Sequence, residues 1–214
     1  MNDDSNRDAV WRTETITPAM EALLRELHDH GMLGDLYLAG GTGLALHFGH
    51  RRSVDLDFFA PEGLDEDPFL QRLQSLPGLI VVARAPETLH LTIQGIKVSF
   101  LGYRYPVLFP FASFFGVSVA DPRDIACMKI AAISSRSSKR DFVDLYVVCQ
   151  QFGIAELLDL FARKYARTGY QKLHILKSLT YFADGEKDPP PHLLAPLDWE
   201  EIKNFFEREV PQRG

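Results

Sequence analysis

Gly40-Gly41-Thr42, followed a short interval later by Val54-Asp55-Leu56-Asp57-Phe58, is the stretch whose reading decides the fold. The small turn opens a short helix, expected from Thr42 to about Gly49. An apolar strand then carries two carboxylates at alternate positions. Asp55 and Asp57 share one face, and Val54, Leu56 and Phe58 take the other. Two like charges so close on a half-buried strand are costly unless a cation lies between them. Their oxygens suit a hard divalent ion, Mg²⁺ or Mn²⁺, which takes one or two carboxylates plus substrate phosphates. The backbone N–H groups of Gly41 and Thr42 would face those phosphates from a helix N-terminus. A glycine pair before a helix is common turn chemistry, so the acids carry most of the weight. Together the features point to transfer of a nucleotidyl group.

Around this stretch the chain divides in two. Residues 1–120 read as an α/β half. A polar leader precedes a helix that Thr17-Pro18 starts and Gly31 stops, with Met20, Leu23, Leu24 and Leu27 on one stripe. Leu36 to Ala39 is the first strand. A helix is expected over about Pro68 to Ser75, with strands at Ile80–Arg84, Leu89–Ile93 and Ile96–Leu101. The last two are joined by a tight turn at Gln94-Gly95. Residues 121–214 read as helical. Asp121-Pro122-Arg123-Asp124 is a strong helix start for a segment reaching about Ser134. Helices follow at about Lys139–Gly153, Ala155–Thr168, Tyr170–Thr180 and Asp198–Glu207, with Asp188-Pro189-Pro190-Pro191 as a linker before the last.

Composition narrows the class. The 214 residues are 46% hydrophobic and 24% charged, as in ordinary globular proteins. A formal net charge of −6 argues against a general nucleic-acid binder. Cys127 and Cys149 are too few for a disulfide framework and are not spaced as metal ligands, so a reducing cytoplasm is expected. The N-terminus is unlike a secretory signal, and no apolar run reaches membrane-spanning length.

Other groups are weighed against blander explanations. In a three-acid transferase site the third carboxylate would sit on a neighbouring strand, at position 99. That residue is Ser99, so two carboxylates suffice or a later acid completes the site. Lys129 and Arg136 are two helical turns apart and can share a face. Lys129 either snorkels from its apolar run or reaches triphosphate oxygens. Arg140 and Asp144 have the spacing of a surface ion pair. The alternative has Asp141 or Asp144 facing the site from the helical half. Between Arg136 and Lys177 bases outnumber acids, which reads first as a solvated helix face and second as an RNA-docking surface. His47 and His50 read as structural, and Phe109, Phe111, Phe114 and Phe115 as core.

Several runs carry a family resemblance. Leu38-Ala39-Gly40-Gly41-Thr42-Gly43-Leu44-Ala45-Leu46 and Gly49-His50-Arg51-Arg52-Ser53-Val54-Asp55-Leu56-Asp57-Phe58-Phe59 resemble the AbiEii/AbiGii nucleotidyltransferase toxin family. So do Asp124 to Lys129 with Arg136, the run Arg140-Asp141-Phe142-Val143-Asp144-Leu145-Tyr146, and Ser178 to Phe182 with Trp199. The resemblance spans about residues 16–207. It implies a polymerase-β-like nucleotidyltransferase core with a mixed sheet, followed by a helical C-terminal half. It implies Mg²⁺ (or Mn²⁺) at Asp55 and Asp57, and an NTP substrate contacted by Gly40, Gly41, Thr42, Lys129 and Arg136. Asp141 or Asp144 would assist catalysis as a base. It also implies a cytoplasmic toxin with a cognate antitoxin encoded nearby, and tRNA as a possible acceptor. Two rivals stand beside this reading: a catalytically reduced nucleotide-binding protein acting through a partner, and a transferase acting on a small, antibiotic-type hydroxyl.

Overall fold

The computed structural model describes residues 10–210. The polar leader up to residue 9 lies outside the described residues. Helix α1 (Pro18–Asp29) starts where Thr17 and Pro18 place it, with the Met20 amide donating to Thr17 Oγ1 at 3.2 Å. Met20, Leu23, Leu24 and Leu27 form its buried stripe. Then come β1 (Tyr37–Leu38), α2 (Gly40–Phe48), β2 (Asp55–Ala60), α3 (Glu66–Leu73), β3 (Ile80–Ala85), β4 (Thr88–Ile93) and β5 (Ile96–Gly102). Helix α2 begins at Gly40 rather than at the expected Thr42, so Gly41 and Thr42 lie within its first turn.

A hairpin that the sequence reading does not anticipate follows, β6 (Ala112–Phe114) and β7 (Val117–Val119). Its strands are too short to display alternation. Its two-residue turn puts Phe115 at φ 49° and Gly116 at φ 80°, and an aromatic residue seldom occupies the first of these positions. The Arg25 guanidinium covers the Phe115 ring at 3.3 Å. The expected Gln94-Gly95 turn does form, with both residues at positive φ (51° and 81°).

The strands build one mixed sheet in the order β3-β4-β5-β2-β1-β7-β6. β2 is central, antiparallel to β1 and parallel to β5. Leu56 and Phe58 of β2, with Val98 and Phe100 of β5, enter a core beneath α1 and α3. Asp55, Asp57 and Phe59 take the opposite face. That face looks toward the helical half: α4 (Pro122–Arg136), α5 (Lys139–Phe152), α6 (Ile154–Lys164), α7 (Lys172–Ser178) and α8 (Trp199–Glu209). Asp121 caps α4 by accepting from the Arg123 amide at 2.9 Å. Helix α6 stops short of the expected Thr168. Lys164 turns inward there to pair with the buried Asp124 at 2.7 Å, which also removes it from any basic surface. Cys127 and Cys149 are buried free thiols. No single helix among the described residues is long and apolar enough to cross a membrane.

Candidate active site

Two glycines let the first wall of the site close up. Gly40 sits at φ +63°, and a Cβ there would come within 2.8 Å of Asp57 Oδ2. A Cβ on Gly41 would overlap the Arg51 guanidinium. The start of α2 is then tied to β2. The Ala39 amide donates to Asp57 O at 3.0 Å, and the Thr42 hydroxyl contacts Ser53 Oγ at 2.7 Å and donates to Asp55 O. Thr42 is thus buried and does not line the cleft, unlike Gly40 and Gly41. Its hydroxyl positions the carboxylate strand instead of meeting a ligand.

Asp55 and Asp57 emerge half-buried beside this helix start. Burial raises the Asp57 carboxyl above its ordinary range; Ser99 and Lys129 offset part of that, while the like charge of Asp55 adds to it. Asp55 Oδ1 is buried with no hydrogen-bond partner. A buried orphan oxygen next to a second carboxylate suits a bound divalent cation. Among the described residues no cluster of three or more His, Cys, Asp or Glu side chains is arranged to hold a metal. The protein therefore offers two carboxylates, and substrate phosphates would have to supply further ligands.

The second wall comes from α4 and α5. Lys129 Nζ lies 2.8 Å from Asp141 Oδ1 and 2.6 Å from Asp144 Oδ2. Arg136 grips Asp141 with Nε at 2.7 Å and Nη2 at 3.0 Å. The shared face expected of Lys129 and Arg136 therefore exists, and Asp141 bridges it. Asp144 is fully buried and also accepts from Arg51 Nε (2.6 Å) and Nη2 (2.9 Å), with His50 Nε2 at 2.8 Å. Burial alone would raise the Asp144 carboxyl, but Lys129, Arg51 and His50 outweigh it and hold the group well below the carboxylate range. Asp141 is lowered in the same way, with Lys129 and Arg136 overcoming burial. Lys129 in turn is held protonated, since the two acids more than compensate its desolvation.

These facts correct two expectations. Asp141 and Asp144 are poor proton acceptors, because acids stabilised by several cations resist protonation; they hold the cations in place. Asp144 also does not pair with Arg140. It faces inward, and Arg140 is left exposed on the rim of the cleft.

The walls enclose a cavity of about 1200 Å³ lined by Gly40, Gly41, Asp55 and Asp57 on one side and Lys129, Arg136 and Asp141 on the other. The structure thus brings together every residue anticipated for the site except Thr42 and Asp144, which lie behind it. Sequence reasoning misses Arg51, and it reads His50 as structural without finding its partner; both meet Asp144, over ninety positions away. Two arginines set directly before the acidic strand were a signal that counter-charges were needed nearby. It also misses the Pro-rich segment as a wall. Asp188 Oδ2 accepts from Ser138 Oγ (2.8 Å) and the Lys139 amide (2.9 Å), capping α5, and the Arg52 amide donates to His192 O at 2.9 Å.

Comparison with known proteins places this geometry. A profile described as "Nucleotidyl transferase AbiEii toxin, Type IV TA system" matches residues 22–106 and 97–213. An uncharacterised protein of Aquifex aeolicus (strain VF5) is 38% identical over 192 residues, covering 85% of this chain and 89% of that protein. Among solved structures, JHP933 from Helicobacter pylori superposes with a TM-score of 0.54 at 18% identity, covering 89% of this chain and 88% of its own. MenT4, the nucleotidyltransferase toxin Rv2826c from Mycobacterium tuberculosis H37Rv, gives a TM-score of 0.53 at 19% identity, covering 90% and 84%. The architecture is the polymerase-β-like nucleotidyltransferase fold.

Proposed function

Because the chain belongs to the AbiEii nucleotidyltransferase toxin family and is a nucleotidyltransferase, we propose that it transfers an NMP from an NTP to an acceptor hydroxyl, with a divalent metal ion held at Asp55 and Asp57. The observation that carries this reading is the meeting of three groups in one cleft: the glycine helix start, the two carboxylates and the Lys129–Arg136 cations. Residues 1–120 supply the first two and residues 121–214 the third. Mg²⁺ (or Mn²⁺), when bound, supplies charge neutralisation of the triphosphate. The chain's own residues do the rest. The N-terminus of α2 lines the cleft at Gly40 and Gly41, and its backbone N–H groups would serve the phosphates there. Arg136 keeps 64% of its side chain exposed while gripping Asp141, so it can donate to a phosphate without losing its anchor. Lys129, almost fully enclosed, adds fixed positive charge in a setting where it is weakly screened. Catalysis on this plan is positioning and electrostatic stabilisation.

The acceptor is proposed to be RNA, tRNA first, in the cytoplasm, with a cognate antitoxin encoded nearby. The test is label transfer from each of the four NTPs, with Mg²⁺ and a tRNA pool, by wild type and Asp57→Ala. Labelled tRNA formed only by the wild type is expected. Equal product from both proteins overturns the reading, and label moved only to a small-molecule hydroxyl replaces the acceptor.

A further inference from the structure

Asp57, Ser99 and His90 stand side by side on three neighbouring strands: Asp57 pairs in register with Ser99, and Ser99 with His90. All three line the cleft, on the face of the sheet away from the core residues Leu56, Leu91 and Val98. His90 Nδ1 lies 3.1 Å from Ser99 Oγ. Ser99 stands beside Asp57 in register and is the neighbour that does most to offset the burial of its carboxylate. A serine hydroxyl carries one hydrogen, and a carboxylate can only accept. When that hydrogen turns toward the carboxylate of Asp57, the Ser99 oxygen accepts from Nδ1–H of His90, the tautomer in which the 3.1 Å contact is a donation by the imidazole. A neutral imidazole so oriented keeps its lone pair on Nε2. That nitrogen has no partner among the described residues, and the side chain is exposed to the cleft.

We propose that His90 is the general base of the transfer reaction, set by the Asp57–Ser99 pair and acting where Ser99 replaces the third acid of a three-acid site. The proposal rests on the nucleotidyltransferase reading above. In the step it serves, the acceptor O–H bond breaks and its proton passes to His90 Nε2. The acceptor oxygen forms a bond to the α-phosphorus, the bond from that phosphorus to the bridging oxygen breaks, and pyrophosphate leaves. Asp141 and Asp144 are committed to cations, so neither competes for this proton. Glu14 and His192 also line the cleft, but they lie on the N-terminal and Pro-rich segments and not on the sheet.

The experiment measures kcat and NTP KM for wild type, His90→Ala, His192→Ala, Glu14→Ala and Asp57→Ala, with and without added imidazole. His90→Ala is expected to lower kcat by ~10²-fold or more while KM stays within about twofold, and imidazole is expected to restore a substantial part of the rate. Unchanged kcat, a loss in KM alone, a kcat loss that imidazole does not rescue, or an equal loss in His192→Ala or Glu14→Ala overturns the assignment. Wild-type transfer that depends on Asp57 but survives His90→Ala removes this inference alone. Absence of any Asp57-dependent transfer removes the nucleotidyltransferase reading with it.

Discussion

The molecule holds two pairs of aspartates, and the surroundings give them opposite characters. Asp55 and Asp57 alternate along β2 and meet few cations: one oxygen of Asp55 is orphaned and the Asp57 carboxyl is pushed up. Asp141 and Asp144 lie one helical turn apart on α5 and are saturated by Lys129, Arg136, Arg51 and His50, so both are pushed down. The first pair awaits charge from a ligand. The second has already spent its charge on internal partners. Residue type alone does not separate a ligand-binding acid from a scaffolding one; the count of cations within reach does.

The comparison is most exposed at Asp144. Asp144→Ala leaves Arg51 buried without its carboxylate, Lys129 with Asp141 alone and His50 without its hydrogen-bond partner, so a loss of about 3–5 kcal/mol in unfolding free energy is expected by denaturant titration. A loss below 1 kcal/mol would mean that the second pair does not scaffold. Asp57→Ala should show the reverse profile, with transfer reduced by ~10²–10³-fold and little change in melting temperature. Gly41→Ala probes the joint between the pairs, because the added methyl must displace Arg51. A cost of about 1–3 kcal/mol from overpacking is expected in the same titration.

The smallest effect concerns pH. Asp141 and Asp144 have folded-state values below the unfolded value, so their stabilisation is present above about pH 4 and fades as pH falls through the folded values. Asp57 has a raised value, so its ionisation works against folding as pH rises through that value. Removing that penalty in Asp57→Asn should raise the melting temperature slightly at neutral pH without metal. A melting-temperature profile across pH 3–8 for Asp57→Asn and Asp144→Asn checks both signs.

Much of this was legible locally. The alternation of Asp55 and Asp57 against Leu56 and Phe58 sets the faces of β2, and Thr17-Pro18, Asp121-Pro122 and Gln94-Gly95 mark ends that the structure reproduces. These are rules of near neighbours. The partners of Asp144 were not legible, because His50 and Arg51 reach it across the whole fold while the i,i+4 spacing points to Arg140 instead. The β6–β7 hairpin escaped because three-residue strands carry no readable period. The Pro-rich wall escaped because a proline run reads as spacing until its Asp188 is seen capping α5. His90 and Ser99 gain meaning only from the register that sets them beside Asp57.

The contact between Gly41 and the Arg51 guanidinium also bears on how this chain can change over time. A side chain at position 41 has to displace or shorten Arg51, and a displaced or shortened residue 51 deprives Asp144 of its two-pronged partner. The three positions, spread over both halves of the chain, should drift as a linked set, and a library randomising all of them at once should return far fewer active combinations than the three single-site libraries would suggest.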